Sequence, residues 1–128
     1  MITIPDHLPV IDWELSLKLA GNNRDLARDM LTLIYQRLPD DIAQIKAMHH
    51  ERNTPQLIHH VHKLHGALCY CGLPRLKFLI AHLESDLKNH IMDSSLPLLG
   101  QLDIEVSLLA SAMAAEPHQL ISINDKND

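Results

Sequence analysis

The chain has 128 residues, which is enough for one compact domain and leaves little room for a second. Its 46% of hydrophobic and 21% of charged residues are typical of a globular protein. The formal net charge of −5, without a basic cluster, argues against nucleic-acid binding. No apolar run approaches the length needed to cross a membrane and no secretory signal opens the chain, so we expect a cytoplasmic location.

The counts of aromatic residues, cysteines and histidines narrow the possibilities further. With one Trp, two Tyr and one Phe, the core must be aliphatic, which favours packed helices over strands. Cys69 and Cys71 would point in different directions on a helix, so we expect reduced thiols and no disulfide. Ten histidines are the one unusual count.

The N-terminal part of the chain predicts a short helix. Pro5 and Pro9 resist regular structure, so residues 1–8 are expected to be irregular. A helix is then predicted over residues 12–19, ended by Gly21. Its apolar residues are Trp13, Leu15 and Leu19.

A long second helix follows. Asn22 or Asn23 can cap it, and Asp25 lies in its first turn. Pro39 falls inside the helical pattern, which predicts a kink or a brief interruption. The expected buried stripe is Leu26, Met30, Leu33, Ile34, Leu38, Ile42, Ile45 and Met48.

Three more amphipathic helices complete the pattern. Thr54 is the expected N-cap of the third, with Pro55 in its first turn and Gly72 at its end. Pro74 opens the fourth, and Ser94 or Ser95 precedes the fifth. The three expected stripes are Leu57, Val61, Leu64, Leu68 and Cys71; Leu76, Leu79, Ile80, Leu83 and Leu87; and Leu99, Leu102, Val106, Leu109 and Met113.

Four substantial helices joined by short loops predict an all-α fold, an antiparallel four-helix bundle with a short extra N-terminal helix. The bundle is expected to span residues 9–115. Residues 116–128 are polar, and we expect a disordered tail there.

The most informative segment is HHVHKLHGALCYCG, residues 59–72. On a helix its leucines and valine face the core, and His62 and His65 lie three residues apart at the core's edge. Gly66 is unexpected there, because glycine inside a helix costs about 1 kcal/mol relative to alanine. Residue 66 would normally lie over residue 62, so the glycine leaves the imidazole of His62 uncovered. This pattern favours a function for His62.

The neighbours of His62 suit a negatively charged adduct. Lys63 supplies a cation, and His65 can donate a hydrogen bond or carry a charge. A neutral imidazole is a competent nucleophile near neutral pH. The sequence has no glycine-rich phosphate-binding loop or nucleotide site, so the chain could accept and pass on a phosphoryl group but could not take one from ATP.

The motif HKLHG at residues 62–66, with Gly72 six residues further on, resembles the signature of histidine-containing phosphotransfer (HPt) domains. The stretches PVIDWELSLKLAGNNRDLARDML and GLPRLKFLIAHLESDL are also similar to such domains, so the resemblance covers residues 9–115. In particular, the chain resembles the C-terminal domain of BarA/GacS-type hybrid sensor histidine kinases, which have a histidine three residues after the acceptor.

The resemblance implies a role for several residues. His62 is the phosphoacceptor, and Lys63 and His65 lie near the phosphoryl group. Glu84, where many relatives have glutamine, orients the acceptor imidazole; a carboxylate there could fix the ring tautomer and raise its basicity. Lys88, one turn beyond Glu84, is a further candidate for phosphoryl contact.

The resemblance also implies partners. A phosphorylated receiver domain docks on the face bearing His62 and brings its own Mg²⁺, and the phosphoryl group then passes to the receiver of a response regulator. The expected docking residues are Ile58, His59, Gly66 and Leu73. The domain itself would bind no cofactor and be monomeric, and its parent would be a histidine kinase anchored in the inner membrane.

Two other interpretations remain open. His59, His62 and His65, with Cys69 one turn further, have a spacing that could offer two ligands to zinc, although no further ligand converges on them at a recognisable spacing, and we expect no metal. A non-catalytic helical adaptor would explain the amphipathic stripes but not the uncovered histidine. A surface position is expected for five further histidines, which are His49, His50, His82, His90 and His118.

Overall fold

The computed structural model describes residues 2–91 and 95–115. Within these ranges the chain forms five helices and no strand: α1 (Trp13–Leu19), α2 (Arg24–His50), α3 (Thr54–Leu68), α4 (Pro74–Lys88) and α5 (Ser95–Ala114). Helices α2 to α5 form an antiparallel bundle in which each helix packs against the next and α5 closes against α2, while α1 packs on α2. The predicted all-α bundle with an extra N-terminal helix is confirmed. The expectations for Ser94, His118 and residues 116–128 lie outside the described residues.

Asparagines begin two of the bundle helices. The side chain of Asn23 caps α2 by accepting a hydrogen bond from the backbone N–H of Leu26 at 3.0 Å. Asn53 caps α3 in the same way, so the prediction of Thr54 as N-cap is wrong by one residue. Thr54 is already helical, and Pro55 still lies in the first turn, where its missing N–H has no intrahelical partner to lose.

Helix α2 is continuous from Arg24 to His50, so Pro39 does not interrupt it. Proline removes one backbone hydrogen bond from a helix interior. Buried residues on both sides of Pro39, among them Leu38, Ile42 and Ile45, anchor the helix to the core and offset this loss.

The core confirms some predicted stripes and corrects others. All predicted core positions of α3 and α4 are buried. In α2, however, Leu26 and Leu33 are 45% and 60% exposed. Ala27 and Leu31 are buried instead, because apolar residues occur on more than one face of α2 and only one face meets the bundle.

In α1 and α5 the buried residues also differ from the predicted stripes, because only the face of each helix that packs on the bundle is buried. In α1, Leu15 and Leu19 are exposed while Ser16 and Leu17 are buried, since this short helix packs against α2. In α5 the predicted stripe is buried at Leu99, Leu102 and Leu109, whereas Val106 and Met113 are only partly buried.

Gly72 has a different role from the predicted helix stop. Helix α3 ends at Leu68, and Gly72 lies in the following turn. A Cβ atom at this position would stand 2.3 Å from the carbonyl oxygen of Asp12 and 2.8 Å from the backbone nitrogen of Ser16. Gly72 therefore allows the start of α1 to approach the turn between α3 and α4. In this turn the carbonyl oxygen of Gly72 accepts a hydrogen bond from the N–H of Asp12 at 2.8 Å. Nearby Cys71 is buried and free of disulfide, and burial raises the pKa of its thiol.

Helix α5 corrects the expectation that no segment approaches the length of a membrane span. Ser95–Ala114 is long and apolar enough to cross a membrane by length and composition alone, and it is the one such helix among the described residues. A core helix of a bundle meets the same criterion, and α5 packs against α2 and α4. It also carries the buried Glu105, which binds the guanidinium of Arg75 through two hydrogen bonds of 2.7 and 2.9 Å.

Candidate functional site

His62 lies in the middle of α3 at the edge of the contact with α4. Its side chain is 66% exposed, and its Nδ1 makes a short hydrogen bond with Oε2 of Glu84 on α4. No residue in the described ranges bonds to the other ring nitrogen, Nε2. The imidazole is thus held at one nitrogen and open to solvent at the other.

Glu84 is the centre of the site. It is 7% exposed, and its carboxylate faces three partners. Besides His62, Oε1 lies 3.0 Å from Nδ1 of His65 and Oε2 lies 3.1 Å from Nζ of Lys88. A buried carboxylate requires such partners, and here all of them reach it from the solvent side of the α3–α4 contact. Glu84 therefore contacts His62, as its predicted orienting role requires, and Lys88 contacts the same carboxylate oxygen. The predicted contact of Lys88 with a phosphoryl group stays a prediction.

The surroundings of Glu84 keep it ionised. Burial alone raises the pKa of the carboxyl group, but hydrogen bonds with His62 and Lys88 and the charge of Lys88 outweigh it, so the pKa of Glu84 lies below its usual value of 4.5. An ionised carboxylate accepts hydrogen bonds only, so Nδ1 of His62 must carry the proton. In the neutral imidazole this tautomer leaves the lone pair on Nε2, the exposed nitrogen.

His65 shares the carboxylate with His62. Its side chain is 26% exposed and its Nδ1 is directed to Glu84 Oε1. With Nδ1 donating to Glu84, Nε2 of neutral His65 can only accept a hydrogen bond, and it becomes a donor when the ring is protonated. His65 therefore forms a hydrogen bond with Glu84. The role predicted for it from the sequence was contact with a phosphoryl group.

Lys63 lies on the other side of α3. It lines a groove between α2 and α3 together with Arg37 and Asp41, away from the cluster around Glu84. Gly66 is exposed, and a Cβ atom built there meets nothing within 4 Å. The packing of this chain therefore does not require a glycine at position 66.

The expected docking residues are only partly exposed. Leu73 is 1% exposed and belongs to the core, so its prediction as a docking residue is wrong: the turn before α4 folds its side chain inward. Ile58 is partly buried against the core, whereas His59 and Gly66 are exposed. Sequence reasoning missed Tyr70, which is 67% exposed. Tyr70 lies in the turn after α3, and the helical pattern of the sequence does not specify the exposure of a residue in a turn.

The described residues contain no group of three or more histidine, cysteine, aspartate or glutamate side chains placed to hold a metal ion. Of the three histidines considered as zinc ligands, His62 and His65 direct Nδ1 to one carboxylate, and His59 is exposed.

The fold and site together define a helical bundle that presents one exposed histidine held by a buried carboxylate. Residues 29–112 match the model of the Hpt domain family, so the chain belongs to that family. The resemblance found in the sequence is thereby confirmed.

Individual relatives agree with this assignment. The chain is 36% identical over 105 residues to the sensor histidine kinase GacS of Pseudomonas protegens, covering 82% of this chain and 11% of that protein. It is 36% identical over 95 residues to the histidine-protein kinase BarA of Escherichia coli K12, covering 73% and 10%. The chain thus spans about a tenth of these relatives. The HPt domain of a hybrid sensor histidine kinase from Shewanella has a similar structure, with a TM-score of 0.73, 30% identity and coverage of 86% of this chain and 95% of that one.

Proposed function

We propose that this domain is a phosphorelay carrier: His62 accepts a phosphoryl group from the phospho-aspartate of a receiver domain and passes it to the aspartate of a response regulator. Membership of the Hpt family and similarity to segments of hybrid sensor kinases support phosphotransfer in two-component signalling. The observation that carries the proposal is the exposed imidazole whose Nδ1 is held by ionised Glu84.

The reaction proceeds at Nε2 of His62. Its lone pair attacks phosphorus in line with the bond to the aspartyl oxygen, the N–P bond forms, and the P–O bond breaks with its electron pair leaving on the aspartate. Nδ1 keeps its proton, and Glu84 stabilises the positive charge that develops on the ring. Transfer to the second aspartate is the same step in reverse.

The domain contributes position and charge. Lys88 is half exposed and lies beside Glu84, so its ammonium can turn to the phosphoryl oxygens once they arrive. His65 in its protonated form can donate from Nε2 to the same oxygens. The receiver supplies the Mg²⁺ that neutralises the transferring group, and this domain needs no cofactor of its own.

We further propose that the domain acts as a monomer, as part of a hybrid sensor kinase and on the cytoplasmic side of the membrane. The similarity to about a tenth of GacS and BarA supports this placement. ATP-dependent phosphorylation would then occur elsewhere in the parent protein.

Labelling by a phosphorylated receiver tests the proposal. The wild-type domain is incubated with a radiolabelled phospho-receiver, and acid-labile, base-stable label is mapped. We expect label on His62 and none in His62→Gln, with helical circular dichroism unchanged. His59→Gln is the matched control, because His59 is exposed one turn earlier and does not contact Glu84.

The same variants separate the competing functions. If cognate receivers leave His62 unlabelled while the domain still binds them, the adaptor interpretation is correct. If wild-type protein carries stoichiometric zinc that His62→Gln loses, the histidines form a metal site.

A further inference from the structure

The two oxygens of the Glu84 carboxylate have different partners. Oε2 contacts both Nδ1 of His62 and Nζ of Lys88, the latter at 3.1 Å. In the described part of the chain, Oε1 contacts only Nδ1 of His65, at 3.0 Å. His65 is therefore the one described residue that holds the second oxygen of the carboxylate that binds the phosphoacceptor.

Two held oxygens fix the plane of a carboxylate, whereas one held oxygen does not. The last torsion of a glutamate side chain is broad and roughly two-fold, so it does not itself set this plane. If Oε2 alone were held, the carboxylate of Glu84 would be able to turn about that contact and meet Nδ1 of His62 from different directions. The hydrogen bond between His65 and Oε1 adds a second fixed point and so defines the plane.

The position of His65 suits it to keep this contact. It lies three residues after His62 on α3, so one helix carries both the phosphoacceptor and the residue that fixes the partner of the phosphoacceptor. Its side chain is 26% exposed, whereas that of Lys88 is 52% exposed. A ring on a short stem also loses less conformational freedom on binding than the flexible four-carbon stem of lysine.

The contact of His65 becomes more important during transfer. In the proposed function the ammonium of Lys88 turns from Glu84 to the incoming phosphoryl oxygens. Glu84 then keeps two partners, the reacting ring of His62 and the ring of His65. Nδ1–H of His65 donates to an ionised carboxylate in the neutral ring as well as in the protonated ring, so this contact requires no change of charge.

We propose that His65 is a positioning residue: it fixes the carboxylate plane of Glu84, and Glu84 thereby holds the ring of His62 with Nδ1 protonated and Nε2 directed to solvent. This inference rests on the proposed function and gives His65 a role other than the phosphoryl contact expected from the sequence. His65 acts on the reaction through Glu84, so its effect on transfer should disappear when the Glu84 carboxylate is absent.

Two substitutions of His65 and one matched control test the proposal. His65→Leu removes the hydrogen-bond donor and keeps a side chain of moderate size. His65→Asn keeps an amide N–H close to the position of Nδ1. His82→Leu is the control, because His82 is an exposed histidine on α4 that contacts the ring of Phe78. Helical circular dichroism should be unchanged in all three variants.

Single-turnover transfer from a phosphorylated receiver, measured over a range of domain concentrations, gives the kinetic result. For His65→Leu we expect the limiting rate to fall about tenfold while the half-saturating concentration stays within about twofold of wild type. His65→Asn should restore the limiting rate to within about threefold of wild type, and His82→Leu should match wild type. In a Glu84→Ala background, His65→Leu should lower the limiting rate no further.

The tautomer of His62 is a measurement that a merely structural role of His65 would not change. NMR of the unphosphorylated domain with ¹⁵N-labelled histidine, at a pH at which the ring is neutral, distinguishes a proton on Nδ1 from one on Nε2. We expect the proton on Nδ1 in wild type, His65→Asn and His82→Leu. In His65→Leu we expect part of the population to carry it on Nε2.

Four results overturn the proposal. They are a limiting rate of His65→Leu within about twofold of wild type, no recovery in His65→Asn, an equal loss in the Glu84→Ala background, or an unchanged tautomer of His62 in His65→Leu. A loss that persists without Glu84 assigns His65 to direct contact with the phosphoryl group. Failure of the proposed function is distinct, because wild-type protein then receives no label on His62, while the tautomer of the unphosphorylated domain still reports on His65.

Discussion

Two buried glutamates illustrate how a structural and a functional carboxylate differ in this bundle. Glu105 on α5 is 3% exposed and binds one permanently charged partner, Arg75, through two hydrogen bonds. Glu84 on α4 is 7% exposed and shares its oxygens among two histidines and a lysine. The partner of Glu105 is mostly buried, whereas His62, the partner of Glu84, is 66% exposed. The burial of the two carboxylates therefore does not distinguish the functional one from the structural one. The distinguishing feature of Glu84 is that its histidine partners can titrate and that His62 is accessible to solvent.

Removal of the Glu105 carboxylate should produce the largest change in stability. Glu105→Gln removes the charged partner that forms both hydrogen bonds with the guanidinium of Arg75, and breaking such a pair destabilises by about 3 kcal/mol. Urea unfolding followed by circular dichroism measures the loss. Glu51→Gln, at an exposed glutamate, is the control and should stay within about 0.5 kcal/mol of wild type. A loss at Glu105 no larger than at Glu51 would show that the pair is not a structural element.

Removal of the Glu84 carboxylate should affect transfer more than stability. Glu84→Ala frees Nδ1 of His62, and loss of such an orienting partner typically lowers activity by about 10–100-fold. Glu84→Gln should lie between alanine and wild type, since an amide oxygen still accepts from Nδ1–H. Because His62 and Lys88 can be solvated when Glu84 is lost, we expect a stability loss of about 1 kcal/mol. Unchanged phosphotransfer in Glu84→Ala would remove Glu84 from the site.

A methyl group at position 66 should separate stability from function. Gly66→Ala should raise the free energy of unfolding by about 1 kcal/mol, since the added Cβ meets nothing and alanine favours helix. The same methyl group stands on the surface that the receiver must approach, so we expect transfer to slow about tenfold. Gly100→Ala, at another open helical glycine, should gain stability without slower transfer. Equal transfer rates in both variants would contradict a role for Gly66 in partner approach.

Acidification should reveal the smallest effect. The pKa of Glu84 is lower in the folded protein than its usual value of 4.5, so its ionisation stabilises the fold above that pH. This contribution is lost as the pH falls through the lower, folded-state pKa. The difference in unfolding free energy between wild type and Glu84→Gln should therefore shrink below pH 4.5, as measured by urea unfolding at several pH values. If this difference in unfolding free energy grew on acidification, it would contradict a stabilising role for ionised Glu84.

Much of the fold could be predicted from the sequence, and the failures have physical causes. In α3 and α4 the predicted apolar stripe coincides with the face that meets the bundle, so every predicted core position is buried. In α2 the apolar residues cover a wider arc of the helix than the bundle can bury. The edge of this arc that contains Leu26 and Leu33 remains exposed, and the periodicity of the sequence does not show which edge that is. The role of Gly72 depends on its approach to Asp12, a contact between distant parts of the chain that local patterns do not contain.

The candidate site likewise has features that the sequence predicted and features that it could not predict. The family resemblance pointed to Glu84 as the partner of His62, and the two are in contact. That His65 takes the second carboxylate oxygen depends on side-chain conformation, which the sequence does not specify. The position of Lys63 follows from helical geometry: one residue after His62, it is rotated about 100° toward α2. This rotation directs Lys63 to the groove between α2 and α3, away from the residues that surround the imidazole.

The central claim is that Nε2 of His62 receives the phosphoryl group while Nδ1 stays bound to Glu84. NMR of the domain with ¹⁵N-labelled histidine, recorded after transfer from a phosphorylated receiver, tests it most directly. We predict one phosphorylated histidine, His62, with phosphorus coupled to Nε2 and a proton retained on Nδ1. Phosphorus on Nδ1, or on any of the other nine histidines in place of His62, would contradict the account.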